Sequence, residues 1–161
     1  MGIAMADSFL KIDGIAGESQ DEIHRGEIDI VSWHWDMSQQ SSMMSGSGGG
    51  AAKATIDDLV VVHNIDRASP NLMRYCLTGR HIPKVVLSVR KAGGLPLDFL
   101  KITMNNVVLT RVRPVVVGNS HLEHVALSFA KVTQEYVVQN SMGGSGGMVT
   151  ATFDIKENLA K

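Results

Sequence analysis

Apolar residues recur at every second position along most of the chain, which is the spacing of β-strands with one buried face. The segment 27–39 shows this spacing most clearly, because each of its faces has a uniform character. Its apolar face carries Val31, Trp33, Trp35 and Met37. Its polar face carries Ser32, His34 and Asp36. The segment therefore predicts one long strand that packs on a core and turns its polar face to water.

Further segments rich in β-branched residues predict strands through the rest of the chain. These segments are 9–13, 53–65, 84–92, 95–104, 107–117, 122–138 and 150–156. The segment 122–138 is long enough for either one extended strand or a bent pair. We expect Asp13-Gly14 to close the first strand and Asn105-Asn106 to form a tight turn.

One helix interrupts this pattern, and the sequence predicts its bounds at about Ser69 and Thr78. Ser69 is expected to be the N-cap, Pro70 suits the first helical position, and Gly79 suits the position after the end. Apolar residues at three- and four-residue spacing form the predicted buried stripe, which consists of Leu72, Met73, Cys76 and Leu77.

Three polar or glycine-rich segments connect these elements. Residues 17–26 read as a solvated connector, and residues 142–148 read as a second glycine-rich loop. Residues 38–52 contain Gly46, Gly48, Gly49 and Gly50 and are long for a hairpin connection. Ordering such a segment is costly in entropy, so we expect it to become fixed only against a neighbouring subunit.

About nine strands and one helix indicate a mainly β protein, built as a two-sheet β-barrel or sandwich with one flanking α-helix and a long Gly-rich extended loop. A chain of 161 residues fits a single domain spanning 1–161. No internal repeat is evident.

Composition narrows the classes of function. The formal net charge of -1 argues against a nucleic-acid partner and against capture by an anionic membrane. The single cysteine, Cys76, cannot form an internal disulfide and is expected to be a small buried hydrophobe. Residues 1–10 lack the pattern of a secretory signal, and no apolar run is long enough for membrane insertion. We therefore expect a protein that folds in the cytoplasm and, if exported, leaves without a signal peptide.

Two segments contain residues typical of a phosphate-binding loop and of a zinc site, but the spacing of these residues fits neither site. We therefore expect no metal and no cofactor. A phosphate-binding loop before Lys53 would need glycine at the positions that hold Ser47 and Ala52. His121 and His124 could suit zinc, but positions three apart on a strand point to opposite faces.

The sequence also contains no recognisable set of catalytic residues. His34 could act as a general base, yet the nearest hydroxyl on its face, Ser32, is expected about 7 Å away. Trp33 and Trp35 could stack on a sugar, but their apolar face favours the core. The sequence therefore predicts no enzyme.

Several stretches, in order and over most of the chain, resemble the Hcp (haemolysin-coregulated protein) family of the bacterial type VI secretion system. They are 9–14 with 17–19, 27–29, 32–35 with 37–39, 48–51 with Lys53, 65–67 with 69–72, 79–81, 87–94, Tyr136 and 154–158. Each match is short, but their shared order and spacing make the set specific.

The resemblance implies a homo-hexameric ring that stacks into a tube driven outward by a sheath. It implies sheath proteins, a spike protein and effector proteins as partners, with the effectors carried in the lumen. It implies that the polar face of Ser32, His34 and Asp36 meets the lumen; the position of His34 is often serine in the family. It also implies ring-to-ring contacts by the extended loop, for which the candidates are Gln39, Gly46, Gly48, Gly49, Gly50 and Lys53.

A second hypothesis of a different class is a monomeric β-barrel module that binds a small ligand or glycan on its tryptophans. It predicts an exposed aromatic face and no assembly at high concentration. The tube hypothesis predicts rings instead.

Overall fold

Long antiparallel strands dominate the computed structural model, which describes residues 8–41, 53–91, 97–142, 144–155 and 159–160. The strands are β1 (Ser8–Ile12), β2 (Ile28–Ile30), β3 (Ser32–His34), β4 (Met37–Gln39), β5 (Ala54–Ile56), β6 (Leu59–Asn64), β7 (Ile82–Arg90), β8 (Asp98–Val117), β9 (Ser120–Gln139), β10 (Ser145–Asp154) and β11 (Leu159–Ala160). The helix is α1 (Ser69–Thr78).

A hairpin of two strands, β8 and β9, each 20 residues long, forms the centre of the fold. Gly118 and Asn119 join the strands, and Gly118 takes the left-handed conformation, with φ of 58°, that a two-residue turn requires. The larger sheet runs in the order β11-β10-β9-β8-β7-β1-β2, while β6 pairs with both β9 and β3. The segment 122–138 is thus one extended strand.

Two layers arise because the chain changes partner at Val31. Strand β2 pairs with β1 and strand β3 pairs with β6, so the chain bends from one layer to the other at this residue. The Val31 N–H donates to the carbonyl of Val62, at 2.8 Å. Within the described residues the result is sandwich-like and not a closed barrel, with β4 and β5 as a separate two-stranded sheet. The predicted mainly β, two-sheet architecture with one helix is confirmed.

The core fills the space between these layers and the inner face of α1. Burying its apolar side chains stabilises the fold by roughly 1.5–3 kcal/mol for each large residue. The members with at most 1% exposure include Leu10, Leu59, Val61, Leu72, Ile82, Val85, Leu87, Ile102, Met104, Val107, Leu109 and Leu127. They come from β1, β6, α1, β7, β8 and β9, so the core joins segments that are far apart in the sequence.

The bend at Val31 overturns the prediction of a single strand over 27–39. Val31 and Met37 are both more than half exposed. Val31 lies at the bend, and Met37 lies in the small second sheet. Trp33 and Trp35 pack partly buried against the core, as their shared face predicted. The segment 53–65 is divided in the same way, into β5 and β6, at Asp57-Asp58.

Asn105-Asn106 is not a turn, and the prediction there is wrong. Asn106 takes a positive φ of 53°, a conformation that asparagine tolerates, but β8 continues through it in an unchanged register with β9. Neighbouring strands on both sides of β8 keep the chain extended, and Nδ1 of His81 lies 2.8 Å from Oδ1 of Asn106.

The glycine-rich segment 142–148 is likewise mostly strand. Strand β10 begins at Ser145, and a local irregularity in its pairing with β9 accommodates Gly147, which has a φ of 125°. The turn lies earlier, where the Asn140 side-chain oxygen accepts the N–H groups of Met142 and Gly144, both at 2.9 Å.

Helix α1 has the predicted length but begins differently. Ala68 occupies the N-cap without a side-chain hydrogen bond, so the prediction of Ser69 as N-cap is wrong. The Ser69 hydroxyl instead accepts the Asp66 N–H, and the Asp66 carboxylate accepts the Ala68 N–H at 2.8 Å. Gly79 ends the helix in the left-handed conformation, as predicted.

The segment 17–26 lies in the predicted loop, but its charges are not a solvated connector. His24 is buried, and its ring stacks on Phe9 with a centroid distance of 4.4 Å. Its Nδ1 lies 3.0 Å from the Glu27 carboxylate and its Nε2 lies 3.0 Å from that of Asp98. Burying a polar ring such as that of His24 is tolerated because both of its nitrogens meet a carboxylate, while Glu22 and Arg25 in the same loop remain exposed.

Candidate functional site

The three polar residues of the predicted lumen face, Ser32, His34 and Asp36, are all exposed. Ser32 and His34 lie in β3, which pairs with β6 so that His34 is opposite Val60. Asp36 follows where β3 has ended and β4 has not begun. The predicted water-facing character of this face is therefore present, although one continuous strand does not carry it.

His34 and Asp36 line one concave surface of about 460 Å³. It combines an apolar floor with acidic side chains, and its other lining residues are Ile56, Asp57, Asp58, Val60 and Ala126. Such a mixture can accept a cationic or hydrogen-bonding group while offering some apolar contact. Ser32 does not line this surface, so the structure brings together two of the three candidates.

Contacts between two interrupted strands fix the shape of this surface. The Trp35 indole N–H donates to the carbonyl of Asp57, at 3.0 Å, and the Asp57 N–H donates to the carbonyl of Asp36, at 3.0 Å. Trp35 also meets Phe129 edge to face at 5.8 Å between ring centroids. Thr110 donates its hydroxyl to the Asp58 carboxylate. These contacts fix the aspartates at the break between β5 and β6.

Beyond that break, β4 and β5 form a narrow two-stranded arm. Gln39 pairs with Ala54, and the Gln40 N–H donates to the carbonyl of Lys53 at 3.3 Å. Both strands of the arm are exposed apart from the half-buried Ile56. Of the loop candidates, Gln39 and Lys53 thus lie at the outer end of the arm. The other four, Gly46, Gly48, Gly49 and Gly50, lie outside the described residues.

The residues considered for metal or nucleophilic chemistry are spread over the fold. His121 is exposed and His124 half-buried, and each faces a different neighbour across the strand pairs. Among the described residues no group of three or more His, Cys, Asp or Glu side chains is gathered as a metal site would need. Within the same ranges, no helix has the length and apolar character to cross a membrane.

The sequence analysis missed a surface beside α1. Cys76 is half-exposed rather than buried, and Met73 and Leu77 in the predicted buried stripe are 56% and 78% exposed. The buried helix face is instead formed by Leu72 and Tyr75. Tyr75 lies on the other side of Leu72 from this stripe, so the buried face is rotated away from Met73 and Leu77.

The aromatic pair does not form the open platform that the ligand-binding alternative predicts. Trp33 and Trp35 pack against the core, and the Trp35 indole N–H donates to the carbonyl of Asp57. This geometry leaves little of either ring face for a sugar or a nucleobase.

Comparison with known proteins gives a consistent result. The family described as the type VI secretion system effector Hcp matches residues 9–136. Protein hcp1 of Pseudomonas aeruginosa is 40% identical over 157 residues, covering 95% of this chain and 97% of that protein. The crystal structure of Hcp1 from Salmonella typhimurium superimposes with a TM-score of 0.81 at 45% identity, covering 98% of this chain and 100% of that one. That of a type VI secretion system effector from Yersinia pestis gives a TM-score of 0.76 at 40% identity, covering 92% and 99%.

A family match over most of the chain, and relatives that cover nearly its whole length, show that this chain belongs to the Hcp family of type VI secretion tube proteins.

Proposed function

We propose that this chain is a structural subunit of a type VI secretion inner tube. Six copies form a ring, rings stack into a tube, and effector proteins travel in the lumen. The chain acts as one domain, is made in the cytoplasm and leaves through the secretion apparatus, with sheath and spike proteins as further partners. The observation that carries this proposal is membership of the Hcp family along nearly the full chain.

The surfaces described above support the roles of two regions. The exposed polar face of β3, with the concave surface at His34 and Asp36, suits weak and reversible contacts with cargo in a wet channel. The exposed β4–β5 arm leads in sequence into the glycine-rich segment, which we expect to contact a neighbouring ring. A narrow arm of two short strands gains stability when another surface covers it.

The test is the mass of the purified protein by light scattering, followed by electron microscopy. We expect a ring of six times the 17.4 kDa chain mass, over a wide range of concentration. A 17.4 kDa monomer at every concentration would instead favour the binding module and remove the tube proposal.

Cargo binding needs a separate measurement, because a ring alone does not show it. Proteins from the source cell that co-purify with the ring are identified, and the same purification is repeated with a ring altered on the β3 face. We expect at least one small secreted protein to be retained by the unaltered ring alone.

A further inference from the structure

His63 is buried near the end of β6, yet one of its two ring nitrogens has no hydrogen-bond partner. Its Nε2 lies 2.9 Å from Oε1 of Glu123, a residue of β9 that is also buried. Its Nδ1 is enclosed and unpaired within the described residues. Oδ1 of Asp66 lies 3.8 Å from this nitrogen, which suits an ion pair but is too long for a hydrogen bond. Unpaired buried polar atoms are costly and rare, so the protonation of this nitrogen matters to the fold.

The other buried histidine, His24, has no such unpaired nitrogen. Each of its ring nitrogens lies 3.0 Å from a carboxylate, that of Glu27 on one side and that of Asp98 on the other. Because an ionised carboxylate can only accept, both nitrogens must donate if both contacts are to be hydrogen bonds. A histidine between two carboxylates thus needs a proton on each nitrogen, and at His63 the second contact is the long one.

Carboxylates outnumber cations around this contact. The charged groups that act on the Asp66 carboxyl are His63, Glu18 and Glu123. No lysine or arginine forms an ion pair with any of these four residues in the part of the chain that the structure describes. Arg67 is exposed and meets Glu18 through its backbone N–H. A neutral imidazole here would leave the negative charge of the carboxylates uncompensated in a largely buried site.

The surroundings of Asp66 favour an added proton. Burial raises the pKa of the Asp66 carboxyl, Glu18 and Glu123 add to this effect, and the Ala68 N–H opposes it. A raised pKa means that the folded chain binds a proton here more readily than the unfolded chain does. A proton on either side supplies the donor for the long contact, because then the His63 nitrogen donates to the carboxylate or the carboxyl donates to the nitrogen.

Asp66 also fixes the start of α1. Its carboxylate accepts the Ala68 N–H at 2.8 Å, its own N–H donates to the Ser69 hydroxyl at 3.1 Å, and its carbonyl accepts the Ser69 N–H at 3.0 Å. Ala68 is buried in turn, and its carbonyl accepts the Leu72 N–H at 2.9 Å. A movement of Asp66 away from His63 therefore acts directly on the first turn of the helix.

We propose that His63 and Asp66 hold one proton between them in the folded chain, and that loss of this proton as the pH rises loosens the start of α1. With the proton, a hydrogen bond joins β6 to the helix. Without it, a nitrogen lone pair faces a carboxylate in a largely buried site, where two acceptors repel each other. Solvent reaches the cluster through the exposed surface beside α1, which Asp66 and Glu123 both line. The device belongs to the folded chain and is independent of the proposed ring.

The sign of the pH dependence separates this role from that of an ordinary helix cap. Because the folded pKa of Asp66 is raised, the contribution of the proton is complete below the unfolded value, near about 3.9, and is lost as the pH rises through the folded value. A carboxylate that only caps a helix N-terminus strengthens the helix as it loses its proton. The two roles therefore predict opposite trends over the same pH range.

Hydrogen exchange in the first turn of α1 measures the trend. Protection of the peptide 65–73 is followed by mass spectrometry from about pH 4 to about pH 9, and each value is divided by the exchange rate of the unfolded chain at that pH. Asp66→Asn is the reference variant, because its side-chain oxygen still accepts the Ala68 N–H and its amide gives Nδ1 of His63 a permanent donor. We expect the ratio of parental to Asp66→Asn protection to fall at least about tenfold as the pH rises. A ratio that stays constant or rises overturns the inference.

His63→Gln tests whether the histidine shares the proton. Glutamine keeps a donor for Glu123 but has no group that titrates. We expect the fall in protection to move to lower pH by at least about one unit, because imidazole is a stronger base than a carboxylate. A fall that stays at the parental pH assigns the proton to Asp66 alone and overturns the inference.

His124→Gln is the matched control for the histidine variant. His124 is half-buried and follows Glu123 in β9, so its side chain lies on the opposite face of the strand. We expect His124→Gln to leave the fall at the parental pH, and an equal shift in both histidine variants contradicts a specific role of His63. If His63→Gln does not fold, the Asp66→Asn ratio decides alone.

Discussion

Single residues fix the N-terminal loop through charges that are largely withdrawn from water. Asp21 accepts from the Arg90 guanidinium and from the N–H groups of Ile23 and His24. Arg90 also lies over the Phe9 ring, at 5.0 Å from its centroid, so the guanidinium and the His24 ring both contact Phe9. The loop is thereby attached to the end of β7.

Replacing Asp21 tests this attachment. The hydrogen bonds from Arg90 lower the pKa of the Asp21 carboxyl, although burial opposes the effect. We expect Asp21→Asn to reduce the free energy of unfolding by about 1.5–3 kcal/mol at pH 7. Denaturant titration measures the change, and Asp29→Asn, at an exposed residue of β2, is the matched control with a change below about 0.5 kcal/mol.

The pH dependence of that difference follows from the direction of the pKa shift. Because the folded pKa is depressed, the contribution of Asp21 is complete above the unfolded value, near about 3.9, and is lost as the pH falls through the folded value. The gap between Asp21→Asn and the unaltered chain should therefore close in acid. Asp66 acts in the opposite direction, because burial raises its pKa, so its protonation in mild acid favours the folded state. A gap that stays constant down to strong acid would contradict the role of Asp21.

Gly17 has a different constraint, which is space. A Cβ built there would lie 2.5 Å from the carbonyl oxygen of Glu27, a distance that backbone atoms cannot accept without moving. We expect Gly17→Ala to cost about 1–3 kcal/mol in the free energy of unfolding. Ala16→Ser, at the exposed neighbour, should be nearly neutral, and equal stability of the two variants would show that the loop yields easily.

The bounds of a helix or strand were predictable from the sequence where residues close to the boundary determine them. The end of α1 at Gly79 and the turn after β1 follow from residues within a few positions. The division of 27–39 at Val31 was not predictable, because it depends on β1 and β6, which are distant in sequence and compete for the same segment. Asn106 likewise has the sequence of a turn, yet pairing on both sides of β8 keeps it extended.

The same distinction explains what was predicted of the candidate site. Alternation identified the exposed polar side chains of β3, but the aspartates beside them come from the break between β5 and β6. The exposed surface beside α1 depends on which helix face the sheet covers, and Tyr75 rather than Met73 or Leu77 occupies that face. Tertiary contacts decide both features.

The end of the helix gives a test at this scale. Gly79 has a φ of 61° and donates its N–H to the carbonyl of Cys76, at 3.2 Å. Gly79→Ala should cost about 1 kcal/mol in the free energy of unfolding, since a Cβ disfavours this conformation. Gly79→Asn should lose less, because asparagine tolerates positive φ. An alanine variant as stable as the parent would mean that the last turn can relax without cost.

At the scale of the whole molecule, the arm and the polar face have separate roles in the proposed tube. The arm begins at β4 and β5, and the polar face lies nearer the core on β3. Changes in one should therefore leave the function of the other intact. Two experiments use this separation.

The first shortens the glycine-rich segment. Replacing residues 42–50 by Asn-Gly leaves Gln39 and Lys53 in place and supplies residues that favour a tight hairpin turn. We expect single rings at full yield but tubes several-fold shorter by electron microscopy. Loss of the rings as well would assign the segment to contacts within a ring.

The second changes His34. His34→Glu adds a negative charge beside Asp36 on the concave surface, and we expect roughly tenfold less effector to co-purify, equivalent to about 1.4 kcal/mol. His121→Glu, at an exposed histidine near the tip of the hairpin, is the matched control and should retain cargo. Unfolding of His34→Glu would count against a lumen position for this side chain.

The central hairpin also has a consequence for the order in which the protein folds. Its strands are joined by two residues and can associate through contacts close in sequence, whereas β1 must find β7 and β6 must find β9. Non-local pairings of this kind form slowly. During synthesis, β1 to β6 leave the ribosome before β9 exists, so the apolar residues of this N-terminal part remain without their partner strands for that time. A chaperone that binds nascent chains would therefore have its longest opportunity to bind this N-terminal part.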